Sequence, residues 1–537
     1  MLARRSPKDL VTLSLVPLIF LACATLSSTG GESVPQSQAT NELRETATPT
    51  STPTPQPFSK PASVGPDRDG FPAGYNPLSG LPVEDPSLFR YPAMLVSVSH
   101  FPPVARPQAG LSFSPWVFEF YITEGATRFL AAFHGTWPEP EVPVTGDCEI
   151  RGSVFQQTSE ILGNQVWLDN NQNGRHENYE PGVGGVCVNL HDTSGELLES
   201  TTTDSNGYYG FNVEPDLYTV EFVLPKWLEF TSQNVGDENG DSDANETSGL
   251  AEADVDSTVL YLDAGLTSLD ELIPIPEETA ALPKAEVGPV RSGRLIYADI
   301  AGFFQSSCLI YAFADPLVLE KIPKCAFVAH EDSGGGSMLP LERFQAIAED
   351  NMQHTPGGFN YASNLFAEEA PEGGWPAKQI NVFVALLNQS GWTYDPLYGS
   401  WLRFVDDADI DTAGQLHAEV DRLTGRQLHF ENLIVIYVEH DVVTSTNLDI
   451  HLEQGDEGYA FLFRDGKKYD IRWSTKSGEY EQQTGERRPM QFINTDGTPA
   501  ALKPGSTWIF VATPYSALTD EGGGVWKLRY YPPAGAK

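Results

Sequence analysis

Basic residues are scarce in this chain. It has 33 Lys and Arg against 73 Asp and Glu, a formal charge of −40 over 537 residues. A nucleic-acid partner needs a basic face, so that class is excluded. Cysteine is also sparse, with five in all and no CxxC or Cys/His spacing, so no zinc site is expected. Catalytic signatures are missing as well. There is no G-x-S-x-G, no HExxH and no P-loop. The stretch "EDSGGGS" (331–337) approaches a serine-protease loop but lacks its leading glycine and any matching histidine or aspartate segment. Ten histidines are scattered, and His330, His354, His417 and His429 have no partner at ligand spacing. They read as surface or structural side chains.

What the chain does have is acid, concentrated in one place. Glu160 to Asp263 holds 21 acidic and 2 basic residues, a balance of −19. An acidic chain suits divalent cations and a solvated extracellular surface. The only long apolar run is near the start. "MLARRSPK" is a basic n-region, and "LVTLSLVPLIFLA" is an apolar segment of signal-peptide length. Cys23 follows, and "FLAC" resembles a bacterial lipobox, which implies lipidation at Cys23 and an anchor on the outer face of the cytoplasmic membrane. Residues 24–71 are a Ser/Thr/Pro-rich tether that cannot bury a core. An exported protein can oxidise its remaining cysteines, Cys148, Cys187, Cys308 and Cys325. Cys308–Cys325 is preferred because it closes a short segment, with buried free thiols as the alternative.

The length suggests about three domains at roughly 150 residues each. "AMLVSVSH" (93–100) reads as a buried strand, and "SPWVFEFYITEGATRFLAAFHG" as two strands around a turn at Glu124-Gly125. The acidic segment is a series of short β-rich runs broken by Gly, Asn and Asp, the pattern of a small β-sandwich. "PIPEETAALPKAE" (274–286) is a Pro-rich exit. Helical spacing appears in "VRSGRLIYADIAGFF", "PLVLEKI" and "LPLERFQAIAEDNM", with "SCLIYAFA" a strand. From about residue 380, β-signals dominate, and "RDGKK" marks a tight hairpin. The acidic β-module therefore interrupts a mixed α/β domain, an insertion made easy when a small domain's termini lie close together.

The stretch "DNNQNGRHENYE" has the spacing of a calcium loop. Asp169, Asn171 and Asn173 supply side-chain oxygens, Arg175 a carbonyl, and Glu180 a bidentate carboxylate, while Glu177 acts through water and Gly174 permits the turn. A plain Asn/Gly-rich surface turn is the alternative. The run "GNQVWLDNNQNGRHENYEPGVGGVCVNLHD", followed by "TTTDSNGYYGF", "LYTVEF", "DSDANETSG" and "LDAGL", resembles the B domains of serine–aspartate repeat surface adhesins, SdrD B-like, over residues 159–268. The resemblance implies an immunoglobulin-like sandwich stiffened by calcium, used as a spacer without catalysis. It adds Asp237, Asp241 and Asp243 as secondary ligand candidates.

The flanks resemble the YerB-like bacterial lipoproteins, a domain family of unknown function. "NPLSGLPV", "RPQAGLS", "FEFYITEGATRFLAAF" and "GPVRSGR" carry the likeness on the N-terminal side. "YDPLYGSWLRF", "ENLIVIYV", "FRDGKKYDIRW" and "LKPGSTWIFV" carry it on the C-terminal side. The chain departs from the family at Ser363, at Ser114-Pro115 and at "FAD" (313–315). Arg106, Arg128, Arg291 and Arg294 fall in the family's segments with Glu119 and Glu124. Arginine forks suit carboxylate or phosphate. Either these residues, Glu124 included, line a cleft for an anionic ligand such as a cell-wall fragment, or they form internal pairs, Glu124 with Arg128 for instance.

The expected fold is thus an α/β domain (72–145 and 286–358) interrupted by an all-β immunoglobulin-like sandwich (159–268), followed by a β-rich C-terminal domain (375–520), behind a signal segment (1–23). The expected role is an envelope-anchored extracellular binding or scaffold lipoprotein with structural calcium and no enzymatic activity. Its expected partners are the membrane and a cell-wall polymer or envelope protein. The alternative is an enzyme acting on cell-wall polymer through the Arg/Glu-lined cleft.

Overall fold

The computed structural model describes residues 61–141, 153–154, 162–177, 180–204, 206–224, 228–236, 240–255, 260–268, 282–323, 325–327, 337–355, 358–396, 399–453 and 455–536. Cys23, Cys148, Asp237, His330, the Pro-rich exit up to residue 281 and the glycine-rich loop at 331–336 lie outside these residues. Ordered structure begins before the expected Pro72, because Ser63–Val64 pairs with Leu365–Ala367, which in turn pairs with Ala501–Leu502.

A thirteen-stranded sheet is the backbone of the fold. Its middle runs Cys308–Tyr311, Met94–Ser99, Ala126–Phe133, Trp116–Thr123, Thr507–Ala512, Asn432–Tyr437, Glu457–Arg464 and Lys467–Ser474. Thr507–Ala512 lies parallel to both Trp116–Thr123 and Asn432–Tyr437, so the N- and C-terminal flanks share one sheet. Met94–Ser99 is buried at every position, as expected for a strand covered on both faces. Two-residue turns place the hairpins. Asp465 and Gly466 have φ of +50° and +65°, the left-handed pair that a tight hairpin requires.

Strand alternation sorts side chains to two faces. Trp116 and Phe120 meet Phe304 and Tyr297, at and beyond the ends of the helix Ile296–Phe303. Phe129 and Trp508 point the other way. There Trp508 packs on Trp392 (5.3 Å) and Phe430 (5.2 Å) from a second, seven-stranded sheet. That second sheet holds Gln379–Ala385, Asn388–Asp395, Ser400–Asp406, Ala517–Gly522 and Val525–Arg529. The helices expected from spacing are present at Ile296–Phe303, Pro316–Leu319 and Leu341–His354. Cys308 and Cys325 form a disulfide, and Cys187 is also disulfide-bonded.

The acidic segment forms two facing sheets of five and four strands. Its core, which includes Leu162, Val166, Val188, Tyr209, Phe211, Val220 and Leu266, is a separate apolar cluster from that of the flanks. The α/β fold with an inserted immunoglobulin-like sandwich and a β-rich C-terminal part is therefore observed.

Buried His134 leads to a pH prediction. It stands among Phe89, Phe359 and Tyr361, and burial lowers it to about 4. The unfolded chain takes up this proton near pH 6.5 and the folded chain does not. Stability is therefore lost as pH falls from about 6.5 to about 4, by about 1.4 kcal/mol per pH unit for one such group. Asp263 and Asp299, both raised by burial to about 6, work in the opposite direction. A His134→Phe protein should thus lose less stability than the parent between pH 7 and pH 5, read as the change in urea midpoint.

Candidate functional site

The loop at residues 169–180 closes on its own oxygens. Asp169 is 1 % exposed and accepts from Asn173 N (3.1 Å), Gly174 N (2.7 Å) and Thr231 Oγ1 (2.6 Å). Glu180 is buried and accepts from Asn170 N (2.9 Å) and Glu177 N (3.0 Å). The Asn171 and Asn173 side chains accept from Asn173 N and Arg175 N, and both donate to Glu177. Gly174 has φ +75°, and an added Cβ would meet the Ser232 carbonyl oxygen at 3.0 Å, so the turn selects glycine. Burial raises Glu180, and the neighbouring Glu177 and Asp169 carboxylates add to it.

Arg175 pairs with Asp241 in an antiparallel bridge, and Asp241 Oδ1 is buried without a hydrogen-bond partner. Asp243 Oδ2 accepts from Asp263 N at 2.6 Å. So the side chains of Asp169, Asn171, Asn173 and Glu180 come together in the loop, Asp241 joins it through the backbone bridge to Arg175, and the Asp241 and Asp243 carboxylates both lie near Asp263. Among the described residues, no three His, Cys, Asp or Glu side chains form a metal-holding group by themselves. The oxygen donors here are mixed: carboxylates, asparagine amides and backbone. Hard oxygens of this kind, with like-charged carboxylates brought close together, fit calcium chemistry.

The four arginines do not share a cleft. Arg106 lies beside the second sheet, and all three guanidinium nitrogens are engaged. Nε donates to the His100 carbonyl (3.2 Å), Nη1 to the Asp406 carbonyl, and Nη2 to His100 Nε2 (2.9 Å). Arginine only donates, so His100 carries its proton on Nδ1. Burial, with Arg106 and Arg403 close by, holds His100 well below its usual range and therefore neutral.

Behind it is a charge cluster between the two sheets. Arg403 is fully buried. Its Nε donates to Glu419 Oε2 (2.5 Å), and its Nη1 is 3.5 Å from Glu119 Oε2. Its guanidinium lies over the rings of Trp508 (4.2 Å) and Trp392 (4.9 Å). Glu119 also accepts from Thr127 Oγ1 and Trp508 Nε1, and burial raises it while Arg403 opposes that rise. A cavity of about 290 Å³ opens here, lined by Arg106, Asp406, Asp407, His417 and Glu419 with proline and valine walls. Glu419 Oε1 has no hydrogen-bond partner.

Arg128, Arg291 and Arg294 belong to the opposite side of the large sheet, where Arg128 is opposite Ser99 and Phe120. Glu124 sits in the adjoining turn with φ +50°. The anticipated Glu124–Arg128 pair does not form, because the turn sets Glu124 outside the sheet while Arg128 is buried in it; among the described residues neither makes an ion pair. Sequence reasoning missed Arg403 and Glu419. The available signal was phase: in "SWLRFV", Arg403 alternates with Trp401 and Val405, which places a charge on a core-facing row.

Residues 160–266 match the SdrD B-like domain, and residues 380–509 match the C-terminal domain of the protein family of unknown function DUF3048. Serine-aspartate repeat-containing protein C of Staphylococcus aureus, in strains Newman and USA300, is 36 % identical over 132 residues, 24 % of this chain. The chain spans only 13 % of the length of these curated relatives. Among solved structures, the YerB protein of Bacillus subtilis is similar with a TM-score of 0.41 and 15 % identity, covering 82 % of this chain and 96 % of that one. This chain therefore joins an SdrD B-like domain to a DUF3048 C-terminal domain, the first inserted between strands of the sheet to which the second contributes.

Proposed function

We propose that this protein is an exported, envelope-associated binding or scaffold protein whose SdrD B-like module is a spacer stiffened by calcium. The loop at 169–180, with its converging carboxylate and amide oxygens, carries the reading. Asp169, Asn171, Asn173, the Arg175 carbonyl and Glu180 are the ligands, and Asp241 is the nearest reserve. Bound calcium would supply positive charge between carboxylates that otherwise repel one another, locking the loop against the strand Leu162–Leu168 that leads into it. Cys23 as a lipidated residue gives the anchor, and the tether after it gives reach. The likeness to serine–aspartate repeat proteins supports an extracellular setting, and a cell-wall polymer or envelope protein as partner.

A ligand bound only by the folded state raises its melting temperature. Millimolar calcium should therefore raise the melting temperature in calorimetry after chelator treatment, and Asp169→Ala with Glu180→Ala should remove the rise. A flat response in the parent protein would count against calcium. The alternative, an enzyme acting on cell-wall polymer, draws on Glu419, which lines the 290 Å³ cavity and whose Oε1 makes no hydrogen bond, with His100 Nδ1 3.8 Å away. Turnover of that polymer lost in Glu419→Gln, with the fold intact, is the result that would favour it.

A further inference from the structure

Another cavity, of about 280 Å³, opens past the end of the strand Ala126–Phe133, where residues 68–77 meet residues 359–362. Phe71, Tyr75, Phe89 and Phe359 line it, and all four are half-buried. Half-buried rings gathered around an open space mark a binding pocket rather than a core. His134, the residue after the strand, is 5 % exposed and lines the same cavity. Burial keeps its ring neutral at pH 7. The Tyr91 carbonyl takes the proton of one ring nitrogen, and Nδ1 is left without a hydrogen bond, a bare acceptor. The charge of the lining stands apart from that of the chain. No Asp or Glu lines the cavity, although acidic residues outnumber basic ones by 73 to 33. Arg68 does line it, is exposed, and forms no ion pair among the described residues. The Tyr75 hydroxyl likewise makes no hydrogen bond to a described residue.

Three ligand chemistries compete for such a space. A cation would suit the aromatic faces but is repelled by Arg68. An acyl chain would fill the apolar walls but leave His134 Nδ1 unsatisfied. A sugar ring meets both demands. Its C–H face packs on an aromatic face, where the ring quadrupole is negative. Its hydroxyl rim donates to a bare nitrogen and accepts from a guanidinium or a phenol. Small-molecule pockets run to roughly 300–1,000 Å³, so a cavity of about 280 Å³ has room for one or two rings and not for a long chain. We infer that this cavity binds a sugar ring of a cell-wall glycan, with Phe71, Phe89 and Phe359 as its stacking faces and Arg68, Tyr75 and His134 as its polar contacts. This assignment rests on the reading of a cell-wall polymer as partner. It gives that polymer a place on the host fold that shares no residue with the Glu419 cavity or the loop at 169–180.

The test titrates the full chain with chitotetraose, the tetramer of N-acetylglucosamine, and with muramidase-solubilised glycan strands, by isothermal calorimetry. The parent protein should bind at least one of them saturably. Phe359→Ala removes a stacking face and should weaken that binding by about tenfold. Arg68→Gln changes an exposed side chain, leaves the melting temperature at the parent's value, and should weaken binding several-fold. Purified insoluble cell walls, read by co-sedimentation, separate this site from the reading it rests on. A parent protein that sediments with walls but ignores both soluble glycans overturns the site and leaves the wall partner standing. One that does neither overturns both. Glycan binding unchanged in Phe359→Ala and Arg68→Gln also overturns the site, because the sugar would then lie elsewhere. So does saturable binding of a proline-rich peptide of residues 47–57 without binding of either glycan, which would assign the aromatic walls to proline rings instead.

Discussion

Arg403→Ala should destabilise the protein by about 3–5 kcal/mol, measured as the loss of unfolding free energy in urea at pH 7. The substitution removes the cation that joins Glu119 and Glu419, both nearly inaccessible to solvent, and leaves two buried carboxylates facing each other. It also empties the space that the guanidinium fills over the rings of Trp508 and Trp392. The loss should depend on pH in a stated direction. Without Arg403, the Glu119 carboxyl, already raised by burial, rises further. Between the ordinary glutamate value and that raised value, the folded state binds more protons than the unfolded one, so the variant gains stability as pH falls through this window. A variant combining Arg403→Met with Glu119→Gln and Glu419→Gln should recover part of the loss, since removing a whole buried charge group costs less than breaking it. If Arg403→Ala unfolds at the parent's urea midpoint, the cluster is not what joins the two sheets.

Residues 375–520 expressed alone should fail to give a cooperative transition, whereas residues 159–268 alone should fold. The isolated C-terminal part keeps Thr507–Ala512 but loses its parallel neighbour Trp116–Thr123, which exposes an apolar edge in the middle of a sheet. It also loses the Glu119 partner of Trp508 and the Gly110 and Ser112 amides that the buried Asp421 carboxylate accepts from. Each amide or carboxyl left buried without its partner costs about 1–3 kcal/mol. Domain stability is only about 5–15 kcal/mol, so several such losses together are decisive. The inserted module shares no core residue with its host, so excision leaves its apolar cluster whole. Near-ultraviolet circular dichroism with urea unfolding reads both fragments. A sharp transition from 375–520 alone would mean that the shared sheet is dispensable.

Much of the fold was legible because its signals are local. The alternation in "FEFYITEGATRFLAAF" gives Trp116–Thr123 and Ala126–Phe133, and Asp465-Gly466 gives the hairpin that follows Glu457–Arg464. The spacing of the loop at 169–180 brought Asp169, Asn171, Asn173 and Glu180 together through bonds that span at most ten residues. The second sheet was less visible, because its strands are recognised only when stacked on Trp508 by Trp392 and Phe430.

By itself, then, the sequence determined the elements, the acidic insertion and the oxygen-rich loop, since each depends on neighbours within a turn or a hairpin. Tertiary structure alone decided how Trp508 would meet Glu119 across 389 positions. It also decided that Arg106 would fall among partners beside one sheet while Arg128, Arg291 and Arg294 would gather on the opposite side of the other. The reason is physical. A one-residue change of register turns every side chain to the other face, and the pairing of strands so far apart in the chain is set by the energy of the assembled core.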